Sequence, residues 1–107
     1  MRYLLLVCVD PDIDPGEVGD IEEWFAAIDR RGARLLGNQL EPPERARTVR
    51  VRGDALVATD GPFAETKELV AGFDVLECDD LDTAVGLAAL HPVARFGAIE
   101  VRGFWQG

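Results

Sequence analysis

The chain has a single histidine, His91, and so a single side chain that titrates near neutrality without an unusual environment. It directly precedes Pro92. The residue before a proline is pushed out of the helical region, so a helix reaching this point ends at His91. At a helix C-terminus the dipole favours imidazolium, and a histidine there can act as general acid or base in a cleft at the end of a sheet. Its plainer role is a polar residue that closes the helix. Asp60 opens the tight turn Asp60-Gly61-Pro62, where an aspartate bonds its own backbone. The same carboxylate, held at a strand end, could be aimed into a pocket and paired with His91 for proton transfer. The loop continues as Phe63-Ala64-Glu65-Thr66-Lys67-Glu68. Lys67 is the one lysine; an amine flanked by acids in a polar loop reads as a solvated charge before it reads as a Schiff-base nucleophile. Phe63, Glu65 and Lys67 are candidates to line a ligand site beside this pair, with Trp24 as pocket wall or core.

Other chemistries are excluded by spacing. Asp10, Asp12 and Asp14 open like a calcium loop, but Pro15 stands in the glycine place and Ile21 in the bidentate-acid place. One histidine and the separated Cys8 and Cys78 do not make a zinc site. No Gly-rich phosphate loop, Gly-x-Ser-x-Gly elbow or Cys/His catalytic pair is present, so neither metal nor cofactor is expected. Eleven basic residues against twenty acidic ones give a net charge of −9, which argues against nucleic acid or an anionic membrane as partner. Arg45, Arg47, Arg50 and Arg52 form a local basic stripe without the exposed aromatics that RNA-binding sheets use.

The elements that must position these residues follow from periodicity. Residues 3–9 are almost continuously apolar and stop at Asp10-Pro11-Asp12 with no small-residue cleavage site, which predicts a strand buried on both faces and no signal peptide. Asp14-Pro15-Gly16-Glu17 reads as a helix start, followed by the stripe Val18, Ile21, Phe25, Ile28 and closed by Arg30, Arg31 and Gly32. Residues 33–40 read as a weaker strand. Residues 48–52 alternate strictly, Gly53-Asp54 is a two-residue turn, and residues 55–59 return. Residues 72–78 form the next strand. Asp79 or Asp80 caps a second helix with the stripe Leu81, Ala84, Val85, Ala88, widened by Leu87 and Leu90. Residues 98–104 form the last strand.

This order predicts one α+β domain over residues 1–107: a ferredoxin-like antiparallel sheet with both helices on one face and an inserted β-hairpin. Leu4, Leu5, Leu6 and Val7 send hydrocarbon to both faces, and two helices cover one. The uncovered face predicts a homodimer, unless the hairpin or Phe104-Trp105 folds over it. Cys8 and Cys78 fall at opposite edges of the sheet, too far apart for a disulfide. With so few cysteines, and no run long enough to cross a membrane, a reduced, soluble, cytoplasmic protein is expected.

At Asp60-Gly61-Pro62-Phe63-Ala64-Glu65-Thr66-Lys67-Glu68 the sequence resembles the DGPF family of the YCII-related superfamily. The likeness extends to Arg2-Tyr3-Leu4-Leu5-Leu6, to Thr48-Val49-Arg50-Val51-Arg52, and to the segment from His91-Pro92 through Gly97-Ala98-Ile99-Glu100-Val101-Arg102. The resemblance implies a ferredoxin-like fold that dimerises as an α+β barrel. Some members accompany or are fused to extracytoplasmic-function sigma factors; with no strong catalytic constellation in this chain, a non-catalytic dimeric interaction module linked to transcription regulation is the alternative expectation. Wider relatives include a chloromuconolactone dehalogenase with a His/Asp acid/base pair whose histidine lies on the first helix. That helix here reads Ile21-Glu22-Glu23-Trp24-Phe25 and has no histidine, so the pair does not carry over. His91 and Asp60 stand as candidates by their own motifs, for lyase or isomerase chemistry on a small molecule in a pocket near the dimer interface.

Overall fold

A computed structural model describes residues 1–14, 16, 19–62 and 68–107. Strands β1 (Arg2–Val9), β2 (Arg34–Gln39), β5 (Leu69–Glu77) and β6 (Ala98–Gly103) form one antiparallel sheet in the order β2-β5-β1-β6. Helices α1 (Ile21–Arg30) and α2 (Leu81–Ala89) complete an α+β architecture consistent with the ferredoxin-like arrangement. Strands β3 (Arg47–Arg52) and β4 (Ala55–Asp60) pair with each other in a separate two-stranded sheet.

Alternation on β1 sorts the core. Tyr3, Leu5 and Val7 are buried, and Tyr3 and Leu5 join Trp24, Ile28, Leu76, Ala84, Leu87 and Ala88 in one cluster. Leu5, Ile28 and Leu76 are sealed from solvent, each stabilising the fold by about 2 kcal/mol. Leu4, Leu6 and Cys8 point the other way and are only half-buried. The C-terminal segment does not seal that side, since Trp105 is 90% exposed. Cys8 and Cys78 are both free, and the β1/β5 register that pairs Arg2 with Glu77 puts Cys8 opposite Val70 at the other end. Burial pushes both thiols up from their ordinary value.

The strand expected over residues 72–78 begins three residues earlier, at Leu69, and both helices differ from the sequence expectation. The first helix starts at Ile21 and is capped by Asp20, whose side chain accepts from the Glu22 N–H at 2.9 Å. Asp14 instead accepts from the Gly16 N–H at 2.9 Å in a local turn. Gly16 has a φ of +66°, a left-handed conformation that no helix interior accommodates, so the helix cannot run through it. Pro15, Glu17 and Val18, also assigned to that helix, lie outside the described residues. The second helix is capped by Asp80, but its buried face is Ala84, Leu87 and Ala88, while Leu81, Val85 and Leu90 are exposed. Small alanines bring the helix close to the sheet and leave the larger side chains of the predicted stripe outside.

Candidate functional site

His91 sits at the corner between α2 and the 3-10 turn Pro92–Arg95, and it caps that turn. Its backbone is extended, as the following proline demands, and its Nδ1 accepts the Val93 N–H at 3.0 Å. A nitrogen that accepts a hydrogen bond carries no proton, so the proton of the neutral ring is on Nε2. The side chain is 95% buried, at 5% exposure, and burial lowers its pKa from the ordinary histidine value. Desolvation, and not the dipole of the preceding helix, decides the charge of this imidazole.

A chain of ring contacts runs from His91 across α1 to the sheet. The imidazole meets the Trp24 indole edge to face, with centroids 4.6 Å apart. Trp24 is fixed by its own Nε1–H, which donates to the Leu87 carbonyl at 2.9 Å. Trp24 contacts Phe25 at 5.6 Å, and the Arg34 guanidinium lies 4.3 Å over the Phe25 ring. Arg34 then donates Nε–H to Oδ1 of Asp74 at 2.9 Å. Asp74 is buried on the helix-facing side of β5; burial pushes its pKa up, and the hydrogen bond and charge of Arg34 pull it back down.

His91, Arg34 and Asp74 share a cavity of about 740 Å³ at the end of the sheet that α1 leaves uncovered. Val7, Ile21, Phe25 and Pro92 supply apolar wall, and Gly37 and Gly72 on paired strands lower the floor. The volume is in the range of small-molecule sites, and apolar walls with a few convergent polar groups are the usual lining of one. Among the described residues no hydrogen bond runs from His91 Nε2 or from either Nη of Arg34, and none of these atoms is buried without a partner, so they open onto the cavity as donors beside the acceptor oxygens of Glu22, Asn38, Gln39 and Asp74.

The structure distributes the sequence candidates unevenly. His91 lines the cavity. Trp24 is buried one layer behind it and orients the imidazole. Asp60 ends β4, is exposed, and pairs with Arg47 Nε at 3.1 Å across the hairpin; it lines neither this cavity nor a second groove of about 470 Å³ near Pro62. Phe63, Glu65 and Lys67 lie outside the described residues. Arg34 and Asp74 went unmarked in the sequence. The available signal was Asp74 itself, a lone acid inside the apolar run Phe73-Asp74-Val75-Leu76, which demands a buried partner. No group of side chains that could hold a metal ion, and no helix long and apolar enough to cross a membrane, occurs among the described residues.

An uncharacterised protein of Rhizobium meliloti (strain 1021) is 42% identical over 50 residues, a match covering 47% of this chain and 40% of that protein. The chain thus spans less than half of the relative it matches. The YCII-related domain family matches residues 1–106, nearly the whole sequence. With that extent of agreement, the chain belongs to the YCII-related domain family.

Proposed function

We propose that this protein binds a small, oxygen-bearing organic molecule in the His91 cavity, with the Nε2–H of a neutral imidazole as its directing donor. One observation carries this reading: a 95% buried histidine whose Nδ1 is occupied by the Val93 N–H and whose Nε2–H faces a cavity without a protein acceptor. No side-chain polar atom is both buried and without a partner among the described residues, so the Nε2–H opens onto the cavity, where a ligand carbonyl or carboxylate can accept from it. Neutral imidazole as donor also suits lyase or isomerase chemistry, because it polarises a carbonyl and stabilises the oxyanion that develops as a proton leaves the neighbouring carbon. His91 is then the electrophile, since its one lone pair is occupied. The base would be a separate group. Asp60, the carboxylate that the DGPF motif suggests, is held by Arg47 at the hairpin base in its own chain.

The single histidine makes the test direct. In protein labelled at histidine, one imidazole signal reports the site. Screening short aldehydes, ketones, amides and carboxylates should yield compounds that move it, and His91→Asn should weaken them. A screen in which no compound perturbs the imidazole overturns the proposal. Turnover lost in His91→Asn and retained in Asp60→Asn would assign catalysis to the cavity without Asp60.

A second reading is supported by exposed hydrocarbon. Val49, Val51 and Leu56 share one face of the β3–β4 hairpin and are exposed, and Leu36 and Val70 add to the outer side of the main sheet. Such a surface suits a homodimer, in the family's α+β barrel form, serving as an interaction platform of the sigma-factor-linked kind.

A further inference from the structure

We infer that the ligand of the His91 cavity carries a carboxylate, and that Arg34, aimed by Asp74, is the residue that selects it. The inference rests on the small-molecule reading above and narrows it to a substrate class.

Arg34 is arranged as a fork. Its Nε is committed to Asp74 Oδ1 at 2.9 Å, and its plane is seated on the Phe25 ring at 4.3 Å. Two constraints on one planar group leave it little freedom, so the terminal Nη edge is pre-aimed. Neither Nη has an acceptor among the described residues, and Arg34 lines the cavity. Asp74 is 96% buried, at 4% exposure, and is therefore no surface partner but a built support for this guanidinium. Gly37 completes the device. Any side chain there would collide with Asp74 Oδ1 and crowd the phenylalanine carbonyl of residue 73 and Arg34 Nη2, so the glycine is what lets the pair lie against β2.

A purely structural ion pair would direct both ends of the fork at protein acceptors. Here Nε is satisfied by Asp74, while the Nη atoms make no hydrogen bond to the described residues and belong to a side chain that lines a cavity of mixed apolar and polar walls. Parallel N–H groups on a planar cation match the two oxygens of a carboxylate, and the charge on both partners strengthens that contact. The His91 Nε2–H lines the same cavity, as a donor to an oxygen elsewhere on the molecule. Glu22, on the exposed rim, disfavours bulky polyanions and suits a monocarboxylate with an apolar body.

The test uses matched acid and amide probes: benzoate against benzamide, and butyrate against butyramide. Binding is read from the backbone amide shifts of Gly37, Gly72 and Val93 in the full chain. The acids should bind about tenfold or more tighter than their amides, as expected for charge-assisted contacts. Because Arg34→Gln alone leaves Asp74 buried without its cation, the variant of choice is Arg34→Gln with Asp74→Asn, an uncharged pair of similar shape. This variant should lose the preference for acids while retaining the amides. Equal binding of acid and amide to the native protein overturns the carboxylate inference and leaves the cavity reading intact. An acid preference that persists in the double variant assigns the selectivity to another group and overturns the role of Arg34. If no acid or amide perturbs any of the three amides, both the inference and the cavity reading fall.

Discussion

Gly37 and Asp74 face each other across β2 and β5, and a β-carbon on the glycine would collide with the aspartate's Oδ1. The relationship ties a strand glycine to a buried charge pair. Glycine in a strand interior weakens the strand, and it is tolerated here because Arg34 and Asp74 need the space. Gly37→Ala should therefore destabilise the fold by about 1–3 kcal/mol, the range for overpacking a filled site. Urea midpoints measure this. A neutral or stabilising alanine would show that the pair can move aside.

The buried carboxyl of Asp74 predicts an unusual pH dependence. Its folded pKa is raised by burial against the opposing pull of Arg34. A carboxyl raised in the folded state binds its proton more readily there than in the unfolded chain, so its contribution to stability falls as pH rises from the ordinary carboxylate value to the raised one. The stability difference between native protein and Asp74→Asn should shrink over that window and level off above it. In Arg34→Gln, which loses both lowering influences, the window should move to higher pH. Denaturation from about pH 3.5 to 7 checks both, and a difference that grows with pH contradicts the burial of this group.

His91 titrates in the opposite sense. Burial lowers its folded pKa below the ordinary 6.5, so on acidification the unfolded chain takes up the proton first. The stability His91 contributes is present above the ordinary value and is lost as pH falls toward the lowered one, with a slope of at most about 1.4 kcal/mol per pH unit. His91→Asn, which keeps an acceptor for the Val93 N–H, should abolish this slope while preserving the turn. His91→Ala loses the cap as well, at a cost of about 1 kcal/mol at neutral pH. The midpoint of the single imidazole signal should fall below 6.5 in the native protein; a midpoint above it would place the ring in solvent or beside an anion.

These features differ in how readily the sequence discloses them. The strands 3–9 and 48–52 and the Gly53-Asp54 turn are legible because a short apolar run, period-two alternation and turn chemistry are local signals, and they have counterparts in β1 and the β3–β4 pair. The start of α1 is not, because Asp14 and Asp20 are both good caps, and only the backbone at Gly16 chooses between them. His91 is visible as a lone titratable residue before a proline. The state of its ring is not, because burial by Trp24 and the turn that follows depends on packing between distant elements. The Arg34–Asp74 pair is forty positions apart in the chain and meets only through the β2/β5 register. Asp60 shows the converse. Its motif is conspicuous, and its partner is the strand opposite, Arg47.

The hairpin supplies the last prediction. Val49 lies across from Ala58 and Val51 across from Leu56, so one face of a two-stranded ribbon is hydrocarbon, with Leu56 at 70% and Val51 at 59% exposure. An isolated two-stranded ribbon is marginally stable in water, and an apolar face this open is uncommon on a monomer. A second copy covering it accounts for both facts, and the protein should sediment at twice the 11.7 kDa of the chain. The substitutions Val51→Glu and Leu56→Lys together replace the apolar pair with a cross-strand ion pair that keeps the ribbon intact while charging its face. On an exposed surface they would change stability by about 0.5 kcal/mol or less. On a covered one they should convert the dimer to monomer and lower stability in a concentration-dependent way, since dissociation then precedes unfolding. A native protein that sediments as a monomer at micromolar concentration, or a charged variant that remains dimeric, removes the hairpin from the interface.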